Sequence, residues 1–138
     1  MKLTICGSMQ FHREMTRIKR DLTALGHTAY TPSELDNLER NESYMESDED
    51  RVNAKIEYDF IREHFRKIEL ADGILVLNFE KKGIPGYVGG NTFLEMGYAF
   101  GLGKKIFLLH PVPQMDYTTE MLAMQPVVIS NNLTQIPQ

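Results

Sequence analysis

The feature of this 138-residue sequence that most restricts its fold is an uninterrupted apolar run, Gly73-Ile74-Leu75-Val76-Leu77. A strand with one face in solvent alternates apolar and polar side chains, whereas a strand that is buried on both faces is apolar throughout. The run therefore predicts a central strand of a parallel sheet. Helices have to cover both faces of such a sheet.

Four other short apolar segments are predicted to be strands, and a helix is predicted after the first of them. The strands are residues 2–6, 27–30, 105–109 and, more weakly, 126–129. The helix has Ser8 as its N-cap and Gly26 as its left-handed stop. Its buried stripe recurs at alternating spacings of four and three and consists of Phe11, Met15, Ile18, Leu22 and Leu25.

Three further helices are predicted, at residues 51–70, 92–102 and 117–124. The stripe of the first includes one histidine and consists of Val52, Ile56, Phe60, Ile61, His64, Phe65 and Ile68. Strands that alternate with helices imply crossover connections and a sheet covered on both sides. We therefore predict one α/β domain over residues 1–138, with a flavodoxin-like, doubly wound fold: a five-stranded, mostly parallel sheet with helices on both faces.

A doubly wound sheet binds its ligands beyond the carboxyl ends of its strands. Residues 6–11, 78–95 and 110–119 are predicted to lie at that edge. Asp72 begins the third strand and so lies at the opposite end, where we expect a structural role.

The charge of the chain is unevenly distributed. There are 19 acidic and 15 basic side chains, a formal net charge of -4, which gives no basic surface of the kind that binds nucleic acid polymers. Residues 34–50 alone carry -7, so the remainder carries +3. We interpret the acidic segment as a solvated, self-repelling stretch, with a lid over a ligand as the alternative.

The cysteine and histidine residues indicate the cellular compartment and whether a metal is bound. Cys6 is the only cysteine, so an internal disulfide is impossible, and no apolar stretch reaches the length of a membrane span. We predict a cytoplasmic protein without a membrane partner, in which Cys6 is a small core residue. Because His12, His27 and His110 show no metal-ligand spacing with each other or with Cys6, no metal or other cofactor is predicted.

Glu95 is the first candidate for chemistry. It is predicted in the first turn of a helix that starts at the ligand edge, where the positive end of the helix dipole favours an ionised, nucleophilic carboxylate. The alternative is a capping box, Thr92-x-x-Glu95, in which the glutamate only satisfies a backbone amide. From the residues alone, the capping box is slightly favoured.

Cys6-Gly7-Ser8-Met9 follows the first strand and is the second candidate. Its small residues would let backbone amides and the Ser8 hydroxyl approach a phosphate or a sugar. A Gly-Ser turn that merely caps a helix is the commoner explanation, since no Walker A or G-x-G-x-x-G motif is present.

His64 lies on an apolar helical stripe, so a core histidine is the default interpretation. If its ring instead reaches the ligand edge, it is able to donate a proton near neutral pH. A phosphoacceptor domain is excluded, because Asn78 stands at the strand end where the acceptor aspartate would be needed.

Together, these segments resemble the nucleoside 2-deoxyribosyltransferase superfamily, which includes deoxynucleoside monophosphate N-glycosidases. The resemblance covers nearly the whole chain. It rests on Cys6-Gly7-Ser8-Met9, on Ala71-Asp72-Gly73-Ile74-Leu75-Val76, and on Leu94-Glu95-Met96-Gly97-Tyr98-Ala99 followed by Gly103-Lys104-Lys105-Ile106. The third stretch is the most specific, and it implies that Glu95 is the family's nucleophile.

The resemblance implies cleavage or transfer at the N-glycosidic bond of a nucleoside or nucleoside 5′-monophosphate through a covalent glycosyl-glutamate intermediate. Glu95 and His64 are the predicted catalytic residues, and no metal takes part. The predicted substrate-binding residues are Cys6, Gly7, Ser8, Met9, Asn78, Gly89, Gly90 and Asn91. A homodimer or higher homo-oligomer is also implied.

The sequence departs from the family pattern at several helper positions. Thr4 and Ile5 stand where the family has a tyrosine. Gly89 replaces a serine or aspartate that binds the 5′ end of the sugar. Leu122 replaces a polar residue that the family donates across the subunit interface. His64 occupies the place of an aspartate that assists departure of the base, so we expect the histidine to supply the proton. The alternative is a non-catalytic nucleotide-binding or signalling module. A flavin carrier is disfavoured, because no hydroxyl-rich phosphate loop follows the first strand.

Overall fold

The computed structural model describes residues 1–35, 52 and 59–138. Most of the acidic segment, including the proposed lid at residues 36–48, lies outside the described residues, as does Ile56. Among the described residues, no helix has the length and apolar character needed to cross a membrane.

Five strands alternate with four α-helices whose bounds lie within the described residues. They are β1 (Lys2–Cys6), α1 (His12–Ala24), β2 (Thr28–Tyr30), α2 (Phe60–Leu70), β3 (Gly73–Val76), α3 (Gly90–Gly101), β4 (Lys105–Leu108), α4 (Thr118–Ala123) and β5 (Val127–Val128). Short 3-10 helices cover Met9–Phe11 and Leu133–Gln135. Ser8 caps the first of these by accepting a hydrogen bond from the Gln10 amide, so the chain enters α1 through an extra turn.

All five strands are parallel and lie in the order β2-β1-β3-β4-β5. This is the flavodoxin-like order, and it confirms the predicted fold. The central strand β3 has β1 on one side and β4 on the other, so its backbone is hydrogen-bonded along both edges. The amide of Lys2 donates to the Asp72 carboxylate over 2.7 Å, which gives Asp72 the structural role expected of it.

The side chains of β3 divide between two hydrophobic clusters, one on each face of the sheet. Leu75 and Leu77 pack with the α1 residues Met15, Ile18 and Leu22. On the other face, Ile74 and Val76 pack with Ile68 of α2 and with Met96 and Ala99 of α3. Burial on both faces explains why this strand has no polar alternation.

Two helix predictions are wrong in their boundaries. The predicted helix at 51–70 is interrupted at Asp59, whose φ of 52° is left-handed and incompatible with a continuous helix. Val52 is 55% exposed instead of buried, and Ile61, which lines a cavity, is 39% exposed. The helix predicted from Thr92 begins at Gly90, because the Phe93 amide already donates to the Gly89 carbonyl over 2.9 Å.

A substitution of Gly73 tests how closely the central strands β3 and β4 pack. A Cβ at this position would lie 2.7 Å from the carbonyl oxygen of Lys105 on β4, so Gly73→Ala should force the two strands apart. We expect it to lower the free energy of unfolding by about 1–3 kcal/mol in urea titrations.

Gly97 provides the matched control. It lies within α3 with open space around its Cα, so Gly97→Ala should raise the free energy of unfolding by up to about 1 kcal/mol through helix propensity. Equal effects of the two substitutions would contradict the close approach of β3 and β4.

Candidate functional site

A cavity of about 430 Å³ lies beyond the carboxyl ends of β1 and β3, at the edge where a doubly wound sheet binds ligands. Its walls come from the turn after β1, the segment at 32–34, α2, the loop after β3 and the first turns of α3. The lining residues are Gly7, Ser8, Met9, Gln10, Pro32, Ser33, Glu34, Phe60, Ile61, His64, Phe65, Lys81, Tyr87, Gly89, Gly90, Asn91, Thr92 and Glu95.

The base of this cavity holds a hydrogen-bonded pair of titratable side chains. His64 Nε2 of α2 lies 2.9 Å from Glu95 Oε2 of α3, and the two side chains are only 6% and 5% exposed. The contact joins a base and a carboxylate that are both shielded from water. The pair can therefore present either a carboxylate or an N–H group to a ligand.

The capping-box interpretation of Glu95 is wrong. The helix starts at Gly90 with Gly89 as its N-cap, so Glu95 lies beyond the first turn and its carboxylate binds His64. For the same reason, the helix dipole acts on Glu95 less strongly than a first-turn position predicts.

An aromatic stack fixes the spacing of the two helices that carry the pair. Phe65 of α2 and Tyr98 of α3 stack with ring centroids 4.2 Å apart and planes 8° from parallel. The Tyr98 hydroxyl also donates to the carboxylate of Glu69, and this hydrogen bond is the main reason that the pKa of Tyr98 is raised. Since Phe65 follows His64 directly and Tyr98 lies three residues after Glu95, the stack holds the pair in register.

Cys6 lies behind the pair and does not line the cavity. Its side chain is fully buried, with Sγ 3.5 Å from His64 Nε2. Burial raises the pKa of the thiol well above its usual value, and the neighbouring charge of Glu95 raises it further. Of the two interpretations of Cys6, the core residue fits its position better than a direct substrate contact.

The three side chains also offer a set of potential metal ligands. One ligand atom each from Cys6, His64 and Glu95 lies within 4.8 Å of the other two. Sequence spacing did not indicate this set, because the three residues come from β1, α2 and α3.

A cation and a hydroxyl meet at the cavity wall. Lys81 Nζ donates to Ser8 Oγ over 3.1 Å, and the same oxygen accepts the Gln10 amide. Within the described part of the chain, Lys81 makes no ion pair with a carboxylate, and its ammonium lies 5.8 Å from the centre of the Tyr87 ring. This wall is therefore suited to an anionic group of a ligand.

The loop that carries Lys81 is attached to the rest of the fold at several points. A Cβ on Gly86 would lie 2.6 Å from the carbonyl oxygen of Pro111, so the loop passes directly against that segment. Farther along, the Tyr117 hydroxyl donates to the carbonyl of Val88, and the Tyr117 ring stacks on Phe93 at 4.3 Å. These contacts keep the loop against the segment that follows β4.

The structure brings together most of the residues that the sequence predicted for the site. Eight of them line the cavity: Gly7, Ser8, Met9, His64, Gly89, Gly90, Asn91 and Glu95. Asn78 does not, because its amide donates to the carbonyls of His110 and Pro111 and its oxygen accepts the His110 amide. Lys81 and Tyr87 were missed, although their place in the Gly-rich loop after β3 was a usable signal.

Comparison with solved structures gives several matches to the fold, of which two are described. The first is a 2-deoxyribosyltransferase from Bacillus psychrosaccharolyticus, with a TM-score of 0.53 and 22% sequence identity, over 78% of this chain and 71% of that one. The second is a CMP N-glycosidase from Clostridium botulinum, with a TM-score of 0.50 and 16% identity, over 93% and 85% of the two chains. Neither a protein-family model nor a curated protein matches the sequence.

Both matched structures belong to the nucleoside deoxyribosyltransferase-like family, in agreement with the resemblance read from the sequence. At these identities the likeness establishes a common fold.

Substitution of Asn78 tests whether this residue stabilises the fold instead of binding a substrate. Asn78→Ala removes three hydrogen bonds from a fully buried position, so we expect the free energy of unfolding to fall by roughly 2–4 kcal/mol. Asn91→Ala, at an exposed position on the cavity wall, should change that free energy by less than about 0.5 kcal/mol. If Asn78→Ala left the unfolding midpoint unchanged, the structural assignment would be wrong.

Proposed function

We propose that this protein is an enzyme of the nucleoside 2-deoxyribosyltransferase-like family that cleaves or transfers the N-glycosidic bond of a nucleoside or nucleoside 5′-monophosphate. The observation that carries the proposal is the shielded His64–Glu95 pair at the base of a cavity at the ligand edge of the sheet. The fold shared with a 2-deoxyribosyltransferase and a CMP N-glycosidase supports it. The cavity volume of about 430 Å³ is in the range of small-molecule sites.

In the proposed first step, the Glu95 carboxylate attacks the anomeric carbon of the sugar. A C–O bond forms, the C–N bond breaks through an oxocarbenium-like transition state, and the base leaves with the electron pair. His64 donates its proton to the departing base. Formation of the ester removes the negative charge that holds this proton on His64, so proton transfer becomes favourable as the bond to the base breaks.

In the second step, water or another base resolves the glycosyl ester. With water, His64 accepts one proton as the oxygen attacks the anomeric carbon, and Glu95 is released as a carboxylate. With a second base, the same events lead to transfer. After both steps, Glu95 is again a carboxylate and His64 again carries its proton.

Lys81 and Ser8 favour a phosphorylated substrate. Since the lysine has no carboxylate partner among the described residues, its charge is available to a 5′-phosphate, and the Ser8 hydroxyl provides a further donor. This cation also compensates for Gly89, which lacks the side chain that relatives use at the 5′ end of the sugar.

A second candidate function is a non-catalytic nucleotide-binding module on the same fold. It is favoured by the short contact between Glu95 and His64, which occupies one carboxylate oxygen before any ligand arrives. Saturable ligand binding without release of a free base, equal in the parent protein and in Glu95→Gln, would identify this function.

Turnover of a panel of nucleosides and their 5′-monophosphates tests the nucleophile. Chromatography should detect a free base or an exchanged nucleoside with the parent protein, and Glu95→Gln should lower the rate by at least about 10³-fold. Glu120→Gln changes an exposed carboxylate outside the cavity and serves as the matched control. Product formation at the same rate by Glu95→Gln would exclude the glycosyl ester.

Two substrates with different leaving groups test whether His64 donates a proton. His64→Gln should slow the release of a natural base by about 10²–10⁴-fold. It should leave the release of 4-nitrophenolate from a nitrophenyl deoxyriboside nearly unchanged, because this leaving group departs without a proton. His12→Gln is the control. If His64→Gln slowed the release of both leaving groups equally, His64 would have a purely structural role.

A further inference from the structure

We propose that Cys6, His64 and Glu95 form a binding site for a thiophilic divalent cation of the Zn²⁺ class. The sequence predicted no metal, because His12, His27 and His110 show no ligand spacing with each other or with Cys6. In the fold, their ligand atoms lie within 4.8 Å of one another, with 3.5 Å from Cys6 Sγ to His64 Nε2 and 2.9 Å from His64 Nε2 to Glu95 Oε2.

Two of these separations can be compared directly with those around a tetrahedral ion. With Zn–S bonds of about 2.3 Å and Zn–N or Zn–O bonds of about 2.0–2.1 Å, adjacent ligand atoms should lie roughly 3.3–3.6 Å apart. The distance between Cys6 and His64 already has this value. The distance between His64 and Glu95 has to open by about half an ångström, as expected when a metal replaces the hydrogen bond between them.

The charges of the cluster also favour a divalent cation. In the metal-bound form, the Cys6 thiolate and the Glu95 carboxylate carry two negative charges in a place shielded from water, and a divalent cation neutralises both. On binding, the S–H bond of Cys6 and the Nε2–H bond of His64 both break and the two protons pass to solvent, so that His64 coordinates through Nε2 and keeps the proton on Nδ1. Two protons are released for each ion bound, and the complete cluster is neutral.

The elements that carry the ligands make the site preorganised and leave one position open. Cys6 ends the buried strand β1, whereas α2 and α3 are held in register by the stack of Phe65 on Tyr98. His64 and Glu95 line the cavity and Cys6 does not, so the fourth coordination position faces the cavity. Three protein ligands and one open position are typical of zinc sites that are accessible to exogenous ligands.

The consequence for activity rests on the proposed function. A bound ion takes the Glu95 oxygen that would attack the sugar and the His64 nitrogen that would carry the proton. The metal-loaded protein should therefore be inactive, and a chelator should restore turnover. Binding itself does not depend on the protein being an enzyme.

Cobalt titration of the chelator-treated full-length protein tests binding without reference to activity. Because Cys6 is the only cysteine, a thiolate-to-cobalt charge-transfer band in the near ultraviolet can come only from this residue. We expect saturation at one equivalent of Co²⁺, displacement by Zn²⁺, and no competition from Mg²⁺, which prefers oxygen ligands.

Variants then assign the remaining ligands. Cys6→Ser should abolish the band. His64→Gln and Glu95→Gln should each weaken binding by about tenfold or more, and His12→Gln should leave it unchanged. Circular dichroism establishes that each variant is folded. The intact thiol in the two glutamine variants keeps the test decisive even if Cys6→Ser unfolds.

Three results would overturn the inference. Absence of the thiolate band from the parent protein excludes the site, and unchanged affinity in both glutamine variants excludes the proposed ligand set. Full turnover at saturating Zn²⁺ excludes the inhibitory consequence. If no substrate in the panel is turned over but the thiolate band forms, the metal site stands and the proposed enzymatic function fails.

Discussion

The hydrogen bond between His64 and Glu95 is the interaction on which the site depends. It joins α2 to α3 at the point where both helices meet the ligand edge of the sheet, and each partner is shielded from water. An isolated charged carboxylate in such a place would be costly, so the histidine makes the burial of Glu95 possible. The Phe65–Tyr98 stack and the carboxylate of Glu69 maintain the geometry from the outer side of the helix pair.

The strand pattern made the fold predictable. The unbroken apolar character of residues 73–77 reports burial on both faces, which restricts the architecture to a sheet covered by helices on each side. The alternation of strands and helices then indicated crossover connections and a mostly parallel sheet. Helix boundaries were less accessible, because the left-handed Asp59 and the early start of α3 at Gly90 depend on backbone conformations that side-chain periodicity does not encode.

Site residues that closely follow a strand in the sequence were easier to predict than residues that only tertiary packing brings together. Residues that directly follow strands, such as Ser8, were assigned to the ligand edge because topology alone takes them there. Asn78 was assigned in the same way, but its amide satisfies backbone groups of the segment after β4. The contacts among Cys6, His64 and Glu95 form only through tertiary packing, which neither local spacing nor composition records.

The attachment of the loop after β3 has a consequence for how ligands are selected. Gly86 lies against Pro111, and the carbonyl of Val88 accepts a hydrogen bond from the Tyr117 hydroxyl. The hydrogen bonds of Asn78 hold the start of the loop. The wall that carries Lys81 is therefore formed before a ligand arrives. A preformed wall loses little conformational entropy on binding. Conformational adjustment to a ligand then falls to the other lining segments, which include residues 32–34, Phe60 and Ile61.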